Sequence, residues 1–159
     1  MIKTIISDFS RVIFFAKDNS YQGSLNGLYQ RSFKKENYNI FDYFKINTEL
    51  LDFYASLKNS CSIYIFTSEL IQEDPQFEPY LQPVFNGIYS AAKIGLSKNN
   101  KESYKKILQE ISVKPEEAIY MDDKMENIEA AKSAGLHAFQ YVDNEDLFAK
   151  CKSIISSAE

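Results

Sequence analysis

Four kinds of side chain stand where chemistry can be done. Asp8 closes the apolar run Ile2–Ser7, Thr67 and Ser68 close Cys61–Phe66, and the adjacent acids Asp122 and Asp123 close Ala118–Met121. A lysine ahead of a helix completes the set. A carboxylate can attack phosphorus to give an aspartyl-phosphate, and further carboxylates can hold Mg²⁺, which offsets the repulsion between two anions. A hydroxyl and an ammonium can bind the remaining oxygens. The combination suits phosphoryl transfer. Taken singly, each residue has a plainer reading: an Asp or Thr after a strand caps a helix or turn, and a lysine is a solvated charge. Two adjacent acids are harder to explain away, because they repel each other unless a cation or a donor offsets them.

The elements that must position these residues are legible as alternating patterns. A fourth short apolar run covers His137–Val142. Between the runs, apolar residues recur at helical spacing over Asn47–Leu57, Lys101–Ile111 and Met125–Ala134. Gly135 follows the last of these as a left-handed terminator, and Pro115 marks the loop into the third run. Strand and helix in alternation predict an α/β protein: a three-layer, Rossmann-like, mostly parallel sheet with helices on both faces and a ligand crevice at the carboxyl ends of the strands. Residues Lys17–Asn39 interrupt the alternation with polar and aromatic residues, and hold one helix's worth of sequence, Ser24–Glu36.

Composition bounds the rest. At 159 residues, 45% hydrophobic and 25% charged, the chain suits one globular domain over residues 1–159. A net charge of −4 leaves no basic excess for a phosphate backbone, so nucleic acid is not the expected partner. The first apolar run stops at Ser7 and Asp8, too soon for a membrane span or a signal sequence. Cys61 and Cys151 are isolated, which fits a reducing, cytoplasmic setting and gives neither a disulfide framework nor a zinc site; Cys61 reads as a buried small side chain. His137 is the single histidine and reads as a core or strand-start residue, so chemistry must rest on carboxylates, hydroxyls and lysines.

In sequence, these segments resemble the haloacid dehalogenase (HAD)-like hydrolase superfamily, mostly Mg²⁺-dependent phosphatases with an Asp nucleophile. IISDFSRVIF resembles its first motif, IYIFTSE its second, GIYSAAKIGLSKNNKESYKKIL its lysine motif, and IYMDDKMENIEAAKSAGLHAF its fourth. The resemblance implies Asp8 as nucleophile and metal ligand, Thr67 as a hydroxyl donor to the phosphoryl group and Lys98 as the phosphate-binding lysine. It further implies Asp123 on Mg²⁺ directly, Asp122 through a water, and the Ser10 carbonyl as another metal ligand; Asn127, one helical turn past Asp123, either orients it or is a surface residue. Ser10, Arg11 and Ser68 are the remaining candidate substrate contacts.

Two departures from the family pattern bear on function. Ser10 stands where family phosphatases carry the Asp that protonates the leaving oxygen and then activates water, and a serine hydroxyl is a poor acid. Arg11 stands where a turn glycine is usual, and either reaches a phosphate or acidic substrate or lies on the solvent side of the turn. The insertion, over about residues 17–45, corresponds to a minimal helical cap. A small cap leaves small molecules, macromolecules and a second subunit all open as partners, and Tyr21, Tyr29, Phe33, Tyr38, Phe41, Tyr43 and Phe44 offer a contact surface there. The expectation is a phosphoric monoester hydrolase with weak turnover. The alternatives are an inactive HAD-like binding protein and a metal-independent dehalogenase, against which Asp122 and Asp123 weigh.

Overall fold

The strand Thr4–Ser7, β1, decides the architecture: successive residues Ile5 and Ile6 are both fully buried, so both faces of the sheet it belongs to are covered. The computed structural model describes residues 1–157. After β1 come β2 (Phe14–Ala16), α1 (Leu25–Ser32), β3 (Phe44–Ile46), α2 (Thr48–Leu57) and β4 (Ser62–Thr67). There follow α3 (Glu78–Leu81), β5 (Gly87–Ser90), α4 (Ala91–Ile94), α5 (Lys101–Glu110), β6 (Ala118–Asp122), α6 (Met125–Ser133), β7 (His137–Gln140) and α7 (Asn144–Ser157).

Five strands form one parallel sheet in the order β5-β4-β1-β6-β7, with β1 at its centre. Ile5, Ile63, Ile65, Ile119 and Met121 face one side and pack with Leu50 and Tyr54 of α2, and Leu147 and Cys151 of α7. Ile6, Phe66 and Tyr120 face the other, against Tyr104, Ile107 and Leu108 of α5 and Ile128 and Ala131 of α6. This is the expected Rossmann-like three-layer α/β arrangement.

Helix ends follow from local chemistry. Asn47 caps α2 by accepting from the Leu50 N–H, and Asn100 caps α5 by accepting from the Glu102 N–H. Helix α6 stops in a Schellman turn, where Leu136 N–H donates to the Ala131 carbonyl and Gly135 N–H to that of Lys132. Gly135 has φ +96°, and a Cβ there would stand 2.9 Å from Pro115 Cβ.

The second sheet is a hairpin of β2 and β3, with Phe14 opposite Ile46 and Ala16 opposite Phe44. Between its strands lies the helix expected from Ser24–Glu36, shorter at Leu25–Ser32 and capped by the Ser24 hydroxyl. The aromatic residues around it do not make a free contact surface. Phe44 is buried, and Tyr21, Tyr29, Tyr38, Phe41 and Tyr43 pack against the core; Phe33 is the exposed one. His137 starts β7 but is exposed, so the core reading of that residue fails.

Candidate active site

Parallel pairing puts Ser7 level with Ile65 and Met121, so the residues that follow leave the sheet at one edge. Asp8 extends the ladder one step further, its N–H donating to the Met121 carbonyl at 2.9 Å. Thr67 and Asp122 end the flanking strands. A cavity of about 240 Å³ opens there, lined by Asp8, Ser10, Thr67, Ser68, Lys98 and Asp123, with Arg11 at its cap side. Every candidate site residue except Asp122 lines it directly.

Lys98 is only 4% exposed, which rules out the solvated-charge reading. Its Nζ stands 2.6 Å from Asp8 Oδ1 and 2.6 Å from Asp122 Oδ2. The rings of Phe66 and Tyr120 wall it in at 5.6 and 5.8 Å. The Tyr104 hydroxyl donates to the Lys98 carbonyl at 2.6 Å and lies 3.1 Å from the Asn127 carbonyl, fixing the loop ahead of α5 to the start of α6.

Asp122 is fully buried and lies behind Asp8 and Lys98. Its carboxylate accepts from the Tyr120 hydroxyl, from Asn127 Nδ2 at 3.0 Å and from the Lys124 N–H at 2.8 Å. Asn127 is therefore neither a surface residue nor an orienter of Asp123, as the sequence suggested: it is buried and holds Asp122. Tyr120 was not anticipated, although its place two residues before Asp122 on one strand puts both on the same face. Asp123 turns towards the cavity, and its carbonyl accepts from Gln140 Nε2 at 2.8 Å.

Electrostatics separate the three acids. Burial pushes the Asp8 carboxyl up to about 7, with Asp122 and Asp123 adding to the rise and Lys98 opposing it. Burial and the neighbouring Asp122 also raise Asp123. Burial would raise Asp122 too, but Lys98, Tyr120 and the Lys124 N–H outweigh it and hold that carboxyl below its ordinary value. Lys98 stays charged, because two carboxylates overcome the effect of its burial. One carboxylate oxygen from each of Asp8, Asp122 and Asp123 lies within 4.8 Å of the others. Such a hard-oxygen cluster, with Asp8 and Asp123 held above their ordinary range by burial and by neighbouring carboxylates, fits a divalent cation such as Mg²⁺.

Ser10 bridges to Phe14, and the Arg11 N–H donates to the Phe14 carbonyl at 2.7 Å, closing a tight turn after Asp8. Arg11 has φ +62°, the left-handed conformation that explains why glycine is usual at this place. Its side chain does not point idly into solvent: Nη2 donates to the Gly23 carbonyl at 2.8 Å, joining the turn to the cap. On the far side, Asp74, buried and unanticipated, accepts from Tyr29 and Tyr38 hydroxyls at 3.2 and 3.4 Å.

A parallel α/β sheet with acids converging at its carboxyl edge defines a carboxylate-based enzyme fold of the Rossmann-like class. The chain belongs to the haloacid dehalogenase-like hydrolases, whose family model matches residues 16–140 and thus Thr67, Lys98, Asp122 and Asp123, with Asp8 just outside the matched span. It is similar over 98% of both chains to a predicted HAD-like family hydrolase from Porphyromonas gingivalis, with TM-score 0.71 and 17% identity. HAD family enzyme bt-2542 from Bacteroides thetaiotaomicron, solved in complex with magnesium and inorganic phosphate, shares 15% identity at TM-score 0.67, over 93% of this chain and all of that one. The enolase-phosphatase E1 of Aquifex aeolicus is 33% identical over 85 residues, which cover 50% of this chain and 37% of that protein. The chain thus spans about a third of the length of the curated relatives it matches. Among the described residues no helix is long and apolar enough to cross a membrane.

Proposed function

We propose that the protein is a Mg²⁺-dependent phosphohydrolase that works through an aspartyl-phosphate on Asp8. The observation that carries this reading is the convergence of Asp8, Asp122 and Asp123 within 4.8 Å beside a buried lysine. Phosphatase names among the relatives and a magnesium and phosphate complex of a fold neighbour support it.

Asp8 Oδ1 is occupied by the Phe9 N–H and Lys98, so Oδ2 is the oxygen free to attack phosphorus in line with the departing oxygen. The Phe9 and Lys98 bonds fix the carboxylate so that little motion is needed to reach the substrate. Thr67 and Lys98 donate to phosphoryl oxygens, and Asp8, Asp123 and the Ser10 carbonyl are the groups that would hold Mg²⁺, with Asp122 behind. When bound there, the cation would supply positive charge against the repulsion between Asp8 and the phosphoryl dianion. The P–O bond to the leaving group breaks with its electron pair on that oxygen; water then cleaves the aspartyl-phosphate and restores the Asp8 carboxylate. With Ser10 in place of an acid, turnover is slow for leaving groups that require a proton.

The cavity of about 240 Å³ holds a phosphoryl group and a few further atoms, which favours a small substrate. The two free, buried cysteines support a reducing, cytoplasmic setting. Ser10 also keeps a second reading in play, a binding protein that retains the Mg²⁺ and phosphate site without turnover. Hydrolysis of an activated aryl phosphate with and without Mg²⁺, against an Asp8→Asn background, separates the two. Turnover that needs both Mg²⁺ and Asp8 supports the hydrolase. Metal binding in a folded protein with no turnover above that background supports the binding protein.

A further inference from the structure

We propose that the substrate is a small mixed phosphoric anhydride, whose leaving group departs as a delocalised anion, a carboxylate or a second phosphate, into the guanidinium of Arg11. This inference rests on the phosphotransfer reading of the cavity and adds the identity of its second half.

Two adjacent residues make the argument together. Position 10 offers a serine hydroxyl and therefore no proton for a departing alkoxide, whose conjugate acid has a pKa far above neutrality. Position 11 offers a permanent cation in its place, in the same cavity as Asp8 and Thr67. That cation is held in a costly way. Its backbone sits at φ +62°, where a glycine would be unstrained, and its Nη2 is pinned to the Gly23 carbonyl at the cap edge. Among the described residues no carboxylate pairs with Arg11, whereas Lys98 is claimed by Asp8 and Asp122. One hydrogen bond to Gly23 leaves the rest of its planar donor set available, the geometry that grips two oxygens of one anion.

Charge around the cavity agrees. Among the described residues Lys124 also lines it without a carboxylate partner, against two acids that no lysine or arginine pairs, Glu69 and Asp123, the second of them a proposed Mg²⁺ ligand. Leu25 is the single large apolar residue of the lining, so the walls suit a polar group. In the proposed step Asp8 Oδ2 bonds to phosphorus, the anhydride P–O bond breaks, and its electron pair leaves on a carboxylate or phosphate that needs no proton. Water then adds across the aspartyl P–O bond, giving inorganic phosphate with both water protons accounted for on the phosphate or in solvent.

Binding tests this independently of turnover. Asp8→Asn protein in Mg²⁺ buffer is titrated calorimetrically with methylphosphonate, phosphonoacetate and methylenediphosphonate, which carry a neutral methyl, a carboxylate and a second phosphonate at the leaving position. The expected result is at least about tenfold tighter binding of one charged probe over methylphosphonate, lost when Arg11→Gly is added. Preference for phosphonoacetate identifies an acyl phosphate, and preference for methylenediphosphonate a diphosphate. Glycine suits the backbone at position 11, so the variant keeps its fold. Equal binding of all three probes, or a preference that survives Arg11→Gly, overturns the inference. Turnover separates it from the parent reading: aryl phosphate hydrolysis that falls as much as acetyl phosphate hydrolysis in Arg11→Gly leaves a phosphatase in which Arg11 is only structural. Mg²⁺-dependent turnover absent on every substrate, with the probe preference intact, overturns the phosphatase and keeps the anion site.

Discussion

The Nζ atom of Lys98 lies 2.6 Å from carboxylate oxygens of both Asp8 and Asp122, so one buried cation binds two strand ends together. Asp8 follows β1 and Asp122 ends β6, and neither is more than 5% exposed. Removing the lysine leaves both charges buried without a counter-ion. Lys98→Met should therefore lose about 3–5 kcal/mol of stability in metal-free buffer, as judged from urea unfolding. Added Mg²⁺ should restore part of that loss, since the same carboxylates gain a cation. A variant as stable as the parent without Mg²⁺ would contradict the role given to Lys98.

Position 10 predicts a gain of function. Ser10→Asp supplies an acid two residues from Asp8, the proposed nucleophile, and should raise kcat on a phosphate ester with a poor leaving group by roughly a hundredfold. The gain should shrink for p-nitrophenyl phosphate, whose leaving group departs without help. Steady-state rates across a series of leaving groups measure this, and a uniform or absent gain counts against the explanation.

Asp8 predicts the pH dependence of the metal-free protein. Its carboxyl is raised from 3.8 to about 7 in the folded state, so the fold binds this proton more tightly than the unfolded chain does. The stabilisation is full below the unfolded value and is lost as pH climbs through about 7. Asp8→Asn, neutral throughout, should melt above the parent at about pH 8.5 and lose that advantage near about pH 5, both in chelator. Mg²⁺ should reverse the trend if it takes the ionised carboxylates as proposed: its affinity for the parent should rise with pH up to about 7 and level off beyond. Thermal melts with and without Mg²⁺ at several pH values report both.

Asp74 predicts a cap effect separable from chemistry. It receives the hydroxyls of Tyr29, from α1, and Tyr38, so the segment after β4 grips the insertion. Its charge raises both tyrosines in addition to their burial. Asp74→Ala should cost about 1.5–3 kcal/mol and speed hydrogen exchange in Leu25–Ser32. KM should rise more than kcat falls, since none of the groups on phosphorus moves. Equal exchange in the two proteins would show that the clamp is idle.

The site was legible because its strands are buried on both faces. Runs such as IIS and AIYMD read as strands without any alternation, and the polar residues that stop them are the ones that converge at the carboxyl edge of the sheet. The helices α2, α5 and α6 carry one apolar face each and announced themselves by spacing. What escaped was short, or depended on partners distant in sequence. β2 and β3 have three residues each, too few for a period, and β5 sits at the sheet edge with Ile88 exposed. Helix α7 follows a strand expected to run on to Val142 but ending at Gln140, and shows two buried residues, Leu147 and Cys151. Lys98 could be named from a motif, but its grip on Asp122 joins the loop ahead of α5 to the last residue of β6, and no local pattern encodes that. The left-handed backbone of Arg11 was likewise visible only as a missing glycine.

The hairpin has one more implication. The covering segment leaves the body at Ala16 and rejoins it at Phe44, which face each other across β2 and β3, and the Lys17 N–H donates to the Tyr43 carbonyl just beyond. Departure and return thus share one doorway, and residues 17–43 form a cassette. Any loop exchanged at that doorway has to refill the core positions that Leu25 and Ile40 hold and bring an aromatic ring to replace Phe41 against Phe77. The strand ends that carry the acids and the segment that puts Ser24, Leu25 and Asn26 on the cavity wall are therefore separate stretches of chain that meet the sheet at a single point.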